Sequence, residues 1–224
     1  MIITIDGPAG TGKSTAAREL ARALGIACLD TGATYRAVTL AALRAGVDLT
    51  DEEALLELAR PLKLELEYAG DEMRVILNGE DVSREIRSAE VSDNSHHVAR
   101  AGDVRELLVA IQRETGQRLA EQRGGFVAEG RDQGSVVFPD ADVKFYLDAD
   151  PHVRARRRYD ELIADGEKVE YEKVLEAVLT RDGRDRSRAI APLVKPEGAH
   201  EIDTTDMGIA EVTAELLRLV REHK

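Results

Sequence analysis

The run Gly7-Pro-Ala-Gly-Thr-Gly12-Lys13-Ser14 has the spacing of a loop that wraps a polyphosphate: glycine, four residues, then Gly-Lys-Ser. Its glycines let successive backbone N–H groups turn inward around an anion, and a helix opening at Lys13 adds about half a positive charge at its N-terminus. The Lys13 ammonium suits β- and γ-phosphate oxygens, and the Ser14 hydroxyl suits Mg2+. The loop directly follows an apolar run, Ile2 to Ile5, as a strand-to-helix phosphate site requires. The expected contacts to ATP are therefore Gly7, Pro8, Ala9, Gly10, Thr11, Gly12, Lys13, Ser14 and Thr15, with Ser14 as the metal ligand. The only asparagines, Asn78 and Asn94, precede Gly79 and Ser95, so the Asn-Lys-x-Asp element that reads guanine is missing and a GTP switch is disfavoured. Phe126-Val-Ala-Glu129 is the nearest approach to an apolar run ending in a metal-side acid. Glu129 stands either beside the metal or paired with Arg131.

A second concentration of chemistry lies downstream, where eight arginines fall within residues 151–190 of a chain whose net charge is −12. The overall charge disfavours generalised attraction to DNA or RNA, which needs a basic face. A local cationic cluster on an acidic chain instead suits a small, multiply charged anion, although acids such as Glu167 to Glu176 could equally pair these arginines on solvated helix faces.

The elements that must position these residues alternate between short β-branched runs and helical periodicity, which predicts an α/β fold with a parallel five-stranded sheet flanked by helices. Strands are expected at Met1–Asp6, Ile26–Thr31, Gly125–Glu129, Val143–Leu147 and Glu201–Thr204. Helices are expected at Lys13–Leu24, Tyr35–Arg44, Glu52–Ala59, Val104–Glu121, Val153–Ala164, Tyr171–Arg181 and Ile209–Glu222, with Asp150 capping a helix that has Pro151 at its first position. Ligands in such sheets gather at the carboxyl ends of the strands. The rhythm breaks at Leu62–Leu77, which reads as an antiparallel hairpin turning at Ala-Gly-Asp-Glu. We therefore divide the chain into a core, 1–61 and 101–224, with an arginine-rich lid at about 154–188, and an inserted acceptor-side subdomain, 62–100. The 224 residues contain no apolar run of the ~20 residues a membrane span needs, and the start at Met1 leaves no room for a secretory leader. The single Cys28 reads as strand filler and fits a reducing compartment, so a cytoplasmic monomer with neither membrane nor nucleic-acid partners is expected.

Four segments together resemble the bacterial cytidylate kinases among the P-loop nucleoside monophosphate kinases. They are Ile5–Ser14, Leu29-Asp-Thr-Gly-Ala-Thr-Tyr-Arg36, Glu129-Gly-Arg-Asp-Gln-Gly-Ser-Val-Val-Phe-Pro139 and Arg181–Leu193, ordered and spaced as in that family across essentially the whole chain. The resemblance implies ATP-dependent phosphorylation of CMP and dCMP. It implies that Thr31, Tyr35 and Arg36 line the acceptor site, that Arg131 and Arg188 grip the acceptor phosphate, that Arg181 and Asp185 meet the ribose, and that Arg105 and Asp132 read the base. A carboxylate accepts from the cytosine amino group but opposes O4 of uracil, so CMP is expected over UMP. The catalytic set implied is Lys13, Arg131, Arg157, Arg186 and Arg188, with Arg154 and Arg158 as further lid candidates. Three positions depart from the family pattern: His96 replaces a base-contacting serine, and Thr34 and Gln133 replace apolar residues. The adjacent pair His96-His97 reads as a loop or surface feature rather than a metal pair. A P-loop kinase for another acceptor, such as UMP, AMP or a sugar acid, and a non-enzymatic nucleotide-binding regulator are the competing readings.

Overall fold

The computed structural model describes residues 1–164 and 166–223; Asp165, inside the expected lid, lies outside them. Among the described residues, eight strands and eight α-helices follow in order as β1 (Ile2–Asp6), α1 (Lys13–Leu24), β2 (Ala27–Asp30), α2 (Gly32–Ala45), α3 (Glu52–Ala59), β3 (Leu64–Ala69), β4 (Glu72–Leu77), β5 (Glu80–Asp81), α4 (Ala89–Arg100), α5 (Gly102–Arg123), β6 (Phe126–Gly130), β7 (Val143–Asp148), α6 (Pro151–Ala164), α7 (Tyr171–Arg186), β8 (His200–Asp203) and α8 (Ile209–Glu222). The main sheet runs β2-β6-β1-β7-β8, every pairing parallel. Its strands read as apolar runs because helices cover both faces. Ile3, Ile5 and Val127 meet α1 and α8 through Ala16, Leu20, Val212 and Leu216 on one face. On the other face Leu29, Phe126 and Ala128 meet α2 and α5.

All five expected sheet strands and seven expected helices are present, with ends shifted by a few residues. Asp150 accepts the His152 N–H at 2.8 Å, as the cap at the start of α6 requires. The hairpin turns at Gly70-Asp71, and its second strand continues through Asn78 and Gly79, both at positive φ (51° and 86°), into the short β5. That pair of left-handed residues is the two-residue turn whose twist matches antiparallel strands. Leu64, Leu66, Val75 and Leu77 of this second sheet join the apolar cluster formed by α2 and α5.

Two helices differ from the sequence reading. Residues 89–100 form α4, placing His96 and His97 on a helix with ring centroids 4.0 Å apart. Ser, Asp, Asn and His are modest helix formers, but Ser88 caps the first turn and the buried Val91 and Val98, seven residues apart, supply the packing face. Helix α7 continues past Arg181 and through Gly183 to Arg186.

Arg154, at the start of the expected lid, accounts for that continuation. Only 1% exposed, it donates to both carboxylate oxygens of Asp182 at 3.1 and 2.5 Å, to the Ala149 carbonyl at 2.9 Å and to the Ala9 carbonyl at 3.1 Å. It therefore ties α6 to α7 and both to the glycine loop. Asp182→Ala leaves this cation buried without its partner, so a loss of about 3–5 kcal/mol is expected in urea denaturation. A loss below about 1 kcal/mol, the range of exposed pairs, would show that the bridge is solvated.

Candidate active site

The glycine loop leaves β1 at the carboxyl edge of the sheet, where Ile5 and Asp6 lie beside Glu129 and Gly130 of β6. Gly7 (φ 145°) passes so close to β7 that a Cβ there would sit 2.0 Å from the Leu147 carbonyl oxygen. The loop's carbonyls are held from outside. Pro8 accepts from Lys13 Nζ at 2.6 Å and from Thr11 Oγ1 at 3.2 Å, Ala9 from Arg154, and Thr11 from Thr204 Oγ1 at 3.2 Å. Helix α1 begins after Gly12 with no side-chain cap, and no N–H from Ala9 to Thr15 donates a hydrogen bond among the described residues. A ring of unpaired amides at a helix N-terminus is an anion site.

Lys13 is 5% exposed, and burial followed by the like charge of Arg131 lowers its pKa from 10.5 to about 7 despite Glu129 nearby. Ser14 Oγ donates to Glu129 Oε1 at 2.6 Å. No ion pair between Glu129 and Arg131 occurs among the described residues, so of the two sequence readings for Glu129 the geometry favours the place beside Ser14. These two oxygens form a hard donor set that fits Mg2+.

Across the cleft, α7 brings Arg181 and Asp185 onto one face, four residues apart, and the chain beyond it returns Arg188. Asp185 accepts from Arg131 Nε at 2.8 Å and from Arg188 at 3.1 Å. Burial opposes the Asp185 carboxylate, but Arg131 and Arg188 together hold its pKa below the ordinary value. Arg181 has no ion-pair partner among the described residues. Its side chain still meets solvent, yet enclosure by the cleft and then the charge of Arg131 lower its pKa to about 10. Lys13, Arg131, Arg181 and Arg188 thus share one cleft with too few acids to balance them.

At the far end Arg105, from α5, pairs with Asp132 in a short contact; the two are 3% and 2% exposed. Asp132 follows β6, and its loop is held by Asp6, whose carboxylate accepts the N–H groups of Gln133 and Gly134 at 2.8 and 2.7 Å. Burial raises the Asp6 pKa to about 7 against those hydrogen bonds. Tyr35 lies under Arg105, whose guanidinium is 5.4 Å from the ring centroid. Thr31 Oγ1 donates to the Glu129 carbonyl at 2.8 Å, and Arg36 pairs with Asp30 at 2.8 Å.

The structure therefore brings together Lys13, Ser14, Arg131, Arg181, Asp185 and Arg188 around the cleft, and Tyr35, Arg105 and Asp132 at its far end. It does not bring Arg157 or Arg186 into the cluster. Arg157 donates to the Thr204 and Met207 carbonyls at 2.6 and 3.2 Å, while the exposed Arg186 lies near Tyr146 and 3.8 Å from Asp148. Arg158 pairs along its own helix with Glu161. His96 is half-buried on α4 with Nδ1 2.7 Å from the Asp93 carbonyl oxygen. Cys28 lies half-buried in β2, and burial raises its thiol pKa, so it is an unreactive filler. The sequence reading missed Asp6 and Asp30. Each is an acid at the carboxyl end of a predicted strand, and that position was the available signal.

The fold recurs in solved structures. A gluconokinase from Sinorhizobium meliloti superposes with a TM-score of 0.50 at 18% identity, covering 99% of this chain and 92% of that one. An uncharacterised protein from Eubacterium ventriosum gives 0.51 at 13%, covering 99% and 98%. At these identities the likeness concerns architecture alone. Sequence comparison goes further. The cytidylate kinase of Caldanaerobacter subterraneus subsp. tengcongensis is 48% identical over 221 residues, 99% of this chain and 95% of that protein. The cytidylate kinase of Mycobacterium leprae is 47% identical over 222 residues, 99% and 96% of the two chains. The family profile "Cytidylate kinase" matches residues 3–222. With the glycine loop, the cationic cleft and the Arg105–Asp132 pair in one continuous site, the chain belongs to the cytidylate kinase family.

Proposed function

We propose that the protein transfers the γ-phosphoryl group of ATP to the phosphate of CMP, with dCMP as a second acceptor. The observation that carries this reading is the convergence of Lys13, Arg131, Arg181 and Arg188 on one cleft, an excess of positive charge that two facing phosphate groups would neutralise. Residues 62–100 are the acceptor-side insert in this reading, and 154–188 the lid.

The acceptor phosphate, with a second pKa near 6, is already a nucleophile at neutral pH, so no general base is needed. The protein's work is alignment and electrostatics. The amides of residues 9–15 and Lys13 hold the donor phosphates. Arg131 and Arg188, kept in place by Asp185, grip the acceptor phosphate with planar donor forks. Two oxygens of Asp185 are only partly used by these arginines, leaving lone pairs for ribose hydroxyls beside Arg181. Ser14 and Glu129 would hold Mg2+, which would supply further neutralisation along the polyphosphate. Arg186, exposed and 3.8 Å from Asp148, is the lid arginine best able to swing onto the transferred group, whereas Arg157 is tethered to carbonyls. At the base end, Asp132 accepts from the cytosine amino group. Uracil would oppose its O4 to the carboxylate, a mismatch of about 1–3 kcal/mol.

Coupled ADP release measured with CMP, dCMP, UMP, AMP and GMP tests the proposal. CMP and dCMP are expected to be turned over, with UMP lower in kcat/KM by roughly 5- to 150-fold. ADP release that is the same with and without every acceptor would overturn it.

A further inference from the structure

Behind the base-reading pair, α5 places Gln112 on the same face as Arg105, two turns along. Gln112 is fully buried, and its Nε2 donates to Thr34 Oγ1 at 2.8 Å. The Thr34 hydroxyl proton is itself committed to the Thr31 carbonyl at 2.8 Å, so Thr34 can only accept from the amide. That fixes which way the amide faces: nitrogen toward Thr34 and oxygen away from it. The other end of this chain of donors is unusual, because Gln112 Oε1 and the Tyr35 hydroxyl, both buried, have no hydrogen-bond partner among the described residues. The Gln112 side chain lies close enough to the Tyr35 phenol to act on it, and an amide oxygen needing a donor matches a hydroxyl able to give one. Leaving both unmade costs the desolvation of two polar groups, so a bond between them is favoured.

Tyr35 is the ring on which Arg105 lies, and Arg105 Nε is also buried without a partner. The Arg105 guanidinium is therefore held at one end by Asp132 and below by the ring, with a single further contact to the Ala99 carbonyl at 3.2 Å. We infer that Gln112 is a positioning residue for base recognition: oriented by Thr34, its amide oxygen holds the Tyr35 hydroxyl, and the fixed ring sets where Arg105 meets Asp132 and the base. This gives the polar Thr34, which replaces an apolar residue of the family pattern, a definite task. The inference rests on the assignment of Arg105 and Asp132 to the base.

The test compares CMP with UMP in Gln112→Met, Tyr35→Phe and the double variant. Methionine fills the space of the amide without accepting a hydrogen bond, and phenylalanine keeps the ring. Each single change is expected to lower the CMP to UMP ratio of kcat/KM by about fivefold, with CMP KM raised and kcat at saturating CMP little changed. The double variant is expected to fall no further than the worse single one, because both remove the same bond. A purely structural role would instead lower Tm and change both substrates equally. If Gln112→Met does not fold, Tyr35→Phe carries the test. An unchanged ratio in Tyr35→Phe, or full additivity in the double variant, sinks the inference. A wild-type enzyme that fails to separate CMP from UMP, or an Asp132→Ala variant with an unaltered ratio, sinks the underlying base assignment instead.

Discussion

Lys13→Met is expected to lower kcat by about 10³-fold or more while leaving the nucleotide-free fold at least as stable as the parent. The two halves of this expectation have one cause. Lys13 donates to the Pro8 carbonyl alone among the described residues, and burial followed by the like charge of Arg131 lowers its pKa to about 7. A lysine whose folded pKa lies below the unfolded value near 10.5 releases its proton on folding across that window. The unfolded state then binds more protons, and stability rises as pH climbs from about 7 to 10. Urea midpoints of the nucleotide-free protein are expected to show that rise, and Lys13→Met to lose it. Binding ATP reverses the situation, since the polyphosphate favours the charged amine. Calorimetry at pH 8 in buffers of differing ionisation enthalpy is therefore expected to record proton uptake by the parent and less by the variant. Near-parental turnover in the variant would remove Lys13 from the reaction.

What could be read in the sequence was whatever is written contiguously. The glycine loop occupies adjacent residues, and strand alternation gives a parallel sheet whose carboxyl edge must hold it. The conformation of Gly7 against Leu147 and the loop-facing amides then follow from local geometry. The partners that hold the site were not legible in the same way, because they are distant in the chain. Asp6 meets Gln133 across 127 residues, and Arg154 reaches Ala9 across 145. The expected helix ended at Arg181, and the buried Arg154–Asp182 bridge makes the continuation of α7 to Arg186 understandable. That continuation matters, because Asp185 lies beyond Arg181 and gathers Arg131 and Arg188. Helix α4 was hidden for a related reason: its residues have weak intrinsic preference, and Val91 and Val98 become a packing face only once α2 and α5 are in place. The resemblance supplied the grouping of Arg105 with Asp132. Chemistry alone would have left an arginine in a helix and an aspartate after a strand as two surface charges.

Asp132→Ala is expected to have two effects of different origin, and a second substitution separates them. The first is on stability. Arg105 and Asp132 are almost wholly buried, so removing the acid leaves a guanidinium with only the Ala99 carbonyl and the Tyr35 ring to replace water. A loss of about 3–5 kcal/mol is expected in urea denaturation. The second is on recognition: the CMP to UMP ratio of kcat/KM is expected to fall by roughly tenfold or more, because nothing remains to accept from the cytosine amino group or to repel O4. Adding Arg105→Met removes the stranded charge and is expected to recover much of the stability, since an apolar pair in place of a buried ion pair is often neutral or better. It should not recover discrimination. Asp132→Asn provides the opposite control, because its carboxamide can donate to O4, and the ratio is expected to shift further toward UMP than in the alanine variant. If stability and the substrate ratio instead recovered together in the double variant, the pair would act on the base only by maintaining the pocket's shape. The direct carboxylate-to-amino contact would then have to be withdrawn.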